Sequence, residues 1–156
     1  GCGPMGDVAE DLDMRMADGD FATVLCGSNK QMRYALELRR LYRVEAVGFT
    51  TQVQLYMDSA DVLVSKPGGI SITEAGTRGT PLLLADMVGG CETRNQEFFH
   101  AHGWAASCPP DNMAASALAF LEDEQQRQAI TAAQSRDFDG LAADRVAAAV
   151  LARCKK

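Results

Sequence analysis

The stretch over residues 66–74, Lys-Pro-Gly-Gly-Ile-Ser-Ile-Thr-Glu, constrains this chain more than any other. An apolar run, Val62-Leu63-Val64, leads into it, and an amphipathic run follows as far as Arg78. The pattern predicts a strand, a glycine turn and a helix over 71–78. Glycine carries no Cβ, so the backbone of such a turn can approach a ligand closely. A helix start directs free N–H groups and the positive end of its dipole outward, and an anion suits that place best. Ser71 and Glu74 also have the S-x-x-E spacing of a capping box. Taken alone, then, these residues equally describe a well-capped helix after a tight turn.

The same alternation runs through the chain. Met5, Val8, Ala9, Leu12 and Met16 recur at helical spacing over 5–17, and Gly19 follows as a stop. Strands are expected at 21–26, 44–47, 62–65, 82–85 and 105–108. Helices are expected between them at 30–40, 51–59, 71–78 and 94–102, and after them at 113–121, 124–134 and 141–153. In the helix over 30–40, Met32, Ala35, Leu36 and Leu38 are the expected core contacts. Several strands are uniformly apolar, as when helices cover both faces of a parallel sheet. The expected fold is therefore α/β, a doubly wound Rossmann-like parallel sheet. The alanine-rich tail, 142–152, reads as a docking helix rather than a membrane helix, because Asp144, Arg145 and Arg153 interrupt it.

A length of 156 residues suits a single domain with a real core. The net charge of -6 argues against nonspecific nucleic-acid binding, which rests on basic patches. Arg33, Arg39, Arg40 and Arg43 still leave room for a local basic face. The five cysteines, Cys2, Cys26, Cys91, Cys108 and Cys154, show no C-x-x-C spacing. They fit unpaired thiols in a reducing, cytoplasmic compartment. His100 and His102 point apart on a helix and make a poor metal pair, so no metal site is expected. Gly1-Cys2-Gly3-Pro4 is a turn sequence with no strand before it, as in a piece of a longer chain.

In an open parallel sheet, ligands bind beyond the carboxyl ends of the strands. The exits here are 27–29, 48–50, 66–69 and 86–92, and each contains glycine. Four such loops on one edge describe a groove with close backbone approach to an extended polar ligand. A nucleotide diphosphate compound fits, with its diphosphate over the helix start at residues 69–71. The chain has no G-x-x-x-x-G-K-[ST], no complete G-x-G-x-x-G after a strand and no G-x-S-x-G.

Taken together, five segments resemble a known family. They are Cys-Gly-Ser-Asn-Lys (26–30), Gly-Phe-Thr (48–50), Ala-Asp-Val-Leu-Val-Ser-Lys-Pro-Gly-Gly-Ile-Ser-Ile-Thr-Glu-Ala (60–75), Arg-Gly-Thr-Pro (78–81) and Gly-Gly-Cys-Glu-Thr-Arg-Asn (89–95). They are similar to the C-terminal half of monogalactosyldiacylglycerol synthases and processive diacylglycerol glucosyltransferases. The resemblance implies a GT-B glycosyltransferase, two Rossmann-like domains facing a cleft, with this chain as the donor-binding half. It implies a UDP-sugar donor, a diacylglycerol or glycolipid acceptor held by an N-terminal domain, and peripheral association of the full-length protein with the cytoplasmic face of a membrane. It further implies that the first strand and its glycine loop precede Gly1.

Roles follow where residues match. Glu74 would accept hydrogen bonds from the ribose hydroxyls. Gly68, Gly69, Ser71 and Thr73 would line the diphosphate pocket. Phe49, between Gly48 and Thr50, would sit at the uracil. Glu92 and Asn95 would face the sugar, beside Cys91 where the family often has glutamine. The implied reaction transfers a hexose with inversion and needs no cofactor or metal. No general base is visible, so residues 1–156 alone are expected to bind donor without turnover. Two other readings stand beside this one: a non-catalytic nucleotide-binding domain, and a domain like that of UDP-N-acetylglucosamine epimerases, for which His100 or His102 would have to lie near the sugar.

Overall fold

The computed structural model describes residues 5–85 and 90–154, with the side chain of residue 91 excepted. Its core is organised by β4 (Leu82–Leu84), whose three leucines are all buried. A strand sends successive side chains to opposite faces. Leu82 and Leu84 therefore join one apolar cluster, with Met57, Ile72, Ala75 and Phe99. Leu83 joins another on the opposite face, with Ala85, Met113, Ala117, Phe120 and Ile130. A strand covered on both faces cannot alternate apolar with polar, which is why this segment reads as an unbroken run of leucine.

β4 lies between β3 (Leu63–Ser65) and β5 (Ala106–Ser107), and both pairings are parallel. Three helices supply the first cluster: α3 (Val53–Ser59), α4 (Gly69–Arg78) and α5 (Cys91–Ala101). The second is built from α6 (Met113–Glu122) and α7 (Glu124–Asp137), with Val8 and Leu12 of α1 (Met5–Arg15) packed against it. A short 3₁₀ turn, Pro110–Asn112, leads into α6.

The remaining strands, β1 (Ala22–Gly27) and β2 (Val44–Gly48), form a second parallel sheet, and α2 (Lys30–Arg39) packs beside them. Ala9, Val24, Cys26 and Leu36 make its small core. The helix α1 contributes to this core and to the face of the larger sheet, so it joins the two. The observed orders, β1-β2 and β3-β4-β5, fill five of the six places of the doubly wound order 3-2-1-4-5-6. The central place, between β1 and β3, has no strand among the described residues.

Several sequence expectations need correction. The helix after residue 66 begins at Gly69, and Gly68 is its N-cap with no side-chain cap bond. Ser71 thus lies inside the first turn, and the capping box does not form. Ala35 and Leu38 are exposed because the inner face of α2 is taken by Met32 and Leu36. The basic face does not persist as a patch. Arg33 pairs with Glu37, Arg39 with Asp7 and Glu10, and Arg43 with Asp18. The tail helix, α8 (Ala142–Cys154), buries no residue, and Val146, Val150 and Leu151 are exposed. It docks on nothing among the described residues. Helix α5 starts at Cys91, three residues before the expected start. The expectations for residues 1–4, and for residues 86–89 of the fourth exit loop, lie outside the described residues.

Candidate functional site

The carboxyl ends of β3 and β4 open onto the N-termini of α4 and α5. The first helical bond of α4 runs from Ile72 N to Gly68 O, at 3.2 Å. Helix geometry leaves the N–H groups of Gly69, Ile70 and Ser71 without intrahelical acceptors. Ile70 and Ser71 are exposed, so this start faces solvent. Two glycines at the N-cap and first position keep it bare of side chains, as an anion site requires.

Helix α5 forms the neighbouring wall. A Cβ built on Gly68 would lie 3.7 Å from Lys66 Cε and 3.9 Å from Glu92 Oε1. Lys66 Nζ donates to Glu92 Oε1 at 2.6 Å. One turn further along α5, Asn95 Nδ2 donates to Pro67 O at 2.9 Å, and it sits 4.0 Å from a Cβ built on Gly69. Gln96 Nε2 donates to Leu84 O at 3.2 Å. Three side chains of α5 therefore tie it to the ends of β3 and β4. The structure brings Gly68, Gly69, Glu92 and Asn95 together. It adds Lys66, whose place in the motif gave no hint of a partner 26 residues away.

A groove of about 690 Å³ runs along the other flank of α4. Thr73, Glu74 and Thr77 form one wall, and Thr51, Val53 and Gln54 form the facing one. Phe138, Asp139 and Arg145, from the α7–α8 connection and α8, close its far side. The Thr73 hydroxyl donates back to Gly69 O at 2.7 Å and Ile70 O at 2.9 Å, which occupies its proton. Glu74 is exposed on this wall and free of the capping role that its spacing had offered. At the end of α4, Arg78 forms a two-pronged pair with Asp58 of α3, and its hydrogen bonds hold the Asp58 carboxyl below its ordinary value. Gly69 and Glu74 are five residues apart, about 7.5 Å along the helix axis.

The β2 exit loop lies beside this groove through Thr51. Phe49 is 77% exposed, so it is not part of the core. Thr50 Oγ1 accepts from Gln52 N at 3.0 Å, which shapes the turn before α3. The guanidinium of Arg33 stands over Gly48, 3.1 Å from a Cβ built there. The first exit loop is structural, since Asn29 Oδ1 accepts from Met32 N and caps α2.

The histidines lie elsewhere. His102 stacks on Trp104 with ring centres 4.5 Å apart, and its Nδ1 is 2.8 Å from Phe98 O. His100 is eight residues beyond Glu92 on α5, about 12 Å along the axis. Neither is among the side chains that meet at the carboxyl ends of β3 and β4, which are Lys66, Glu92, Asn95 and Gln96. Among the described residues no group of three or more His, Cys, Asp or Glu could hold a metal ion. Among them, too, no helix is long and apolar enough to cross a membrane.

Parallel strands wound on both faces by helices, with a glycine-opened helix at the carboxyl edge, define a doubly wound α/β class of domains. Within that class the chain belongs to the glycosyl transferases group 1, whose family model matches residues 7–136. It is 29% identical to a processive diacylglycerol beta-glucosyltransferase of Staphylococcus carnosus over 117 residues, 74% of this chain and 30% of that protein. It is 30% identical to a probable chloroplastic monogalactosyldiacylglycerol synthase 3 of Oryza sativa over 110 residues, 66% of this chain and 22% of that protein. Both kinds are those that the motifs over 26–95 resemble. The chain spans between 21% and 35% of the length of the first such relatives. Among solved structures, Anabaena HepE in complex with UDP-glucose superposes with a TM-score of 0.65 at 20% identity, covering 97% of this chain and 45% of that one. At that identity the likeness shows the fold.

Proposed function

We propose that this chain is the donor-binding domain of an inverting hexosyltransferase that moves a hexose from UDP to diacylglycerol or a glycolipid. The observation that carries the reading is the bare start of α4, with Glu74 further along the same helix facing the groove that Thr51 also lines. The diphosphate lies over Gly68, Gly69 and Ser71, with Thr73 behind them. Glu74 accepts from the ribose hydroxyls, a role suited to a fixed carboxylate. The uracil lies at Gly48, Phe49 and Thr50. Glu92 and Asn95 face the sugar.

In this reading the departing UDP gathers negative charge as the glycosidic bond breaks. The amides of Gly69, Ile70 and Ser71 and the helix dipole stabilise that charge where it develops. The acceptor hydroxyl must lose a proton to a general base, and none of the residues placed at the site is suited to it. The acceptor and its base belong to an N-terminal domain, which associates with the cytoplasmic face of a membrane. The strand order supports a further part of the reading: the first strand of the doubly wound sheet precedes these residues and enters between β1 and β3. Residues 1–156 then bind donor without transferring it.

Calorimetric titration with UDP and with ADP, on the wild-type chain and on Glu74→Ala, tests this. Saturable UDP binding, weaker ADP binding and a loss of about tenfold or more on substitution of Glu74 are expected, as for removal of a charged hydrogen-bond acceptor. Equal binding of UDP and ADP, unmoved by Glu74→Ala, would favour a nucleotide-binding domain without donor specificity. Turnover of UDP-hexose onto diacylglycerol by residues 1–156 would contradict the missing base.

A further inference from the structure

The smaller sheet carries a cation of its own at the carboxyl edge. Its two strands end side by side, Gly27 against Gly48. Arg33, one turn into α2, reaches over that end, and its Nη1 stands 3.1 Å from a Cβ built on Gly48. A side chain at 48 would crowd the guanidinium, so the glycine lets it lie against the strand end. Arg33 Nε donates to Glu37 Oε1 at 2.7 Å. Among the described residues the Arg33 side chain makes no other hydrogen bond, and it is 51% exposed. Glu37 therefore holds the guanidinium by one edge and leaves its Nη donors unengaged. The next residue along the exit, Phe49, presents a ring that is 77% exposed.

These two side chains act differently on a flat ligand. An exposed aromatic ring stacks on any base, because every base has a π face. A guanidinium discriminates, because all of its N–H groups donate and none accepts.

We propose that Arg33 selects uracil over cytosine in the donor, by donating from Nη to the O4 carbonyl. The inference rests on the donor-site reading above, which lays the base at Gly48, Phe49 and Thr50. Uracil and cytosine differ at ring position 4, where one carries an acceptor oxygen and the other an amino donor. The uracil carbonyl accepts from Arg33. The cytosine amino group sets donor against donor, and both lose their hydrogen bonds. Arginine stays cationic at any working pH, so the preference does not titrate. Phe49 supplies affinity common to both bases, and the pair with Glu37 orients the guanidinium.

The test is calorimetric titration of UDP and CDP into the wild-type protein, Arg33→Met, Arg33→Ala and Phe49→Ala, with a thermal melt of each variant. The wild-type protein is expected to prefer UDP about tenfold or more, the scale of one hydrogen bond from a charged group. Both Arg33 variants are expected to bring the two affinities to within about threefold, mainly by weakening UDP. Phe49→Ala should weaken both nucleotides by a similar factor and keep their ratio. The ratio compares two ligands on one sample, so a partly unfolded variant does not alter it.

A wild-type protein that binds CDP as tightly as UDP overturns the proposal without any variant. A UDP preference that survives in both Arg33→Met and Arg33→Ala overturns it too, and assigns the choice to the backbone of the 48–50 loop. A wild-type protein that binds neither nucleotide overturns the donor-site reading, and this inference with it. Saturable UDP binding with an unmoved ratio overturns the inference alone.

Discussion

All three residues of β4 in the larger sheet are buried, whereas no residue of β2 in the smaller one is. The larger sheet has helices on both faces and two apolar clusters. The smaller sheet has one cluster of four buried residues, and Tyr34, Leu38, Tyr42 and Phe49 nearby are more than half exposed. The polar side chains that converge, Lys66, Glu92, Asn95 and Gln96, all stand at the edge of the larger sheet. The smaller sheet offers a loop with an exposed aromatic ring. The difference teaches that fixed hydrogen-bond geometry is placed where the strands beneath it are packed on both sides.

The largest expected effect sharpens this contrast. Ile72, 1% exposed on the inner face of α4, packs directly beneath the helix that opens the site. Ile72→Ala should cost about 3–4 kcal/mol in urea unfolding. Leu36→Ala in the smaller core should cost about 2 kcal/mol, since a site with fewer buried neighbours collapses more easily around the lost atoms. A Leu36→Ala loss equal to or above that of Ile72→Ala would break the comparison.

Next in size is Gln134, which is fully buried on α7. Its Nε2 donates to Thr80 O at 3.1 Å and Trp104 O at 2.8 Å, joining the loops before β4 and β5. Gln134→Ala leaves both carbonyls without that donor and should cost about 1–2 kcal/mol by the same measurement. A neutral result would mean that water replaces the amide.

A smaller effect is set by pH. Arg136 and then Trp104 hydrogen-bond to Asp137 and hold its carboxyl below the ordinary value. A depressed folded-state pKa adds stability above the unfolded value, and that stability is lost as the pH falls through the folded one. Trp104 fluorescence should therefore change below about pH 4, and Asp137→Asn should remove most of the change. An unaltered acid profile in Asp137→Asn would assign the transition to other carboxylates.

The smallest effect concerns thiols and leaves stability untouched. Burial pushes the Cys108 thiol up to about 11 and raises Cys26 as well, while Cys154 is exposed. At pH 8 a thiol with a pKa near 11 is about one part in a thousand thiolate, the reactive form. Peptide mapping after brief alkylation should find Cys154 modified, with Cys26 and Cys108 protected until denaturant is added. Early modification of Cys108 would show that the larger sheet opens more readily than its packing implies.

Much of this was legible in the sequence because it depends on local pattern. The apolar run at Leu82-Leu83-Leu84 announced a doubly covered strand, and the paired glycines announced a helix start. The capping box misled because two glycines already permit the turn that starts the helix, so it begins two residues before Ser71. The tail helix α8 misled for another reason: an alanine-rich composition broken by charges suits a docking helix without showing what covers it. The Lys66–Glu92 pair was illegible because two separate strand exits bring its members together. Only the sheet order makes them neighbours.

The most direct test of the donor-site account is amide chemical-shift mapping of the ¹⁵N-labelled protein during UDP titration. The account predicts that the largest saturable shifts fall on Gly69, Ile70 and Ser71, with smaller ones at Gly48, Phe49, Thr50 and Glu74. Saturable shifts centred instead on the opposite ends of the strands, around Gly79 and Gly103, would contradict it.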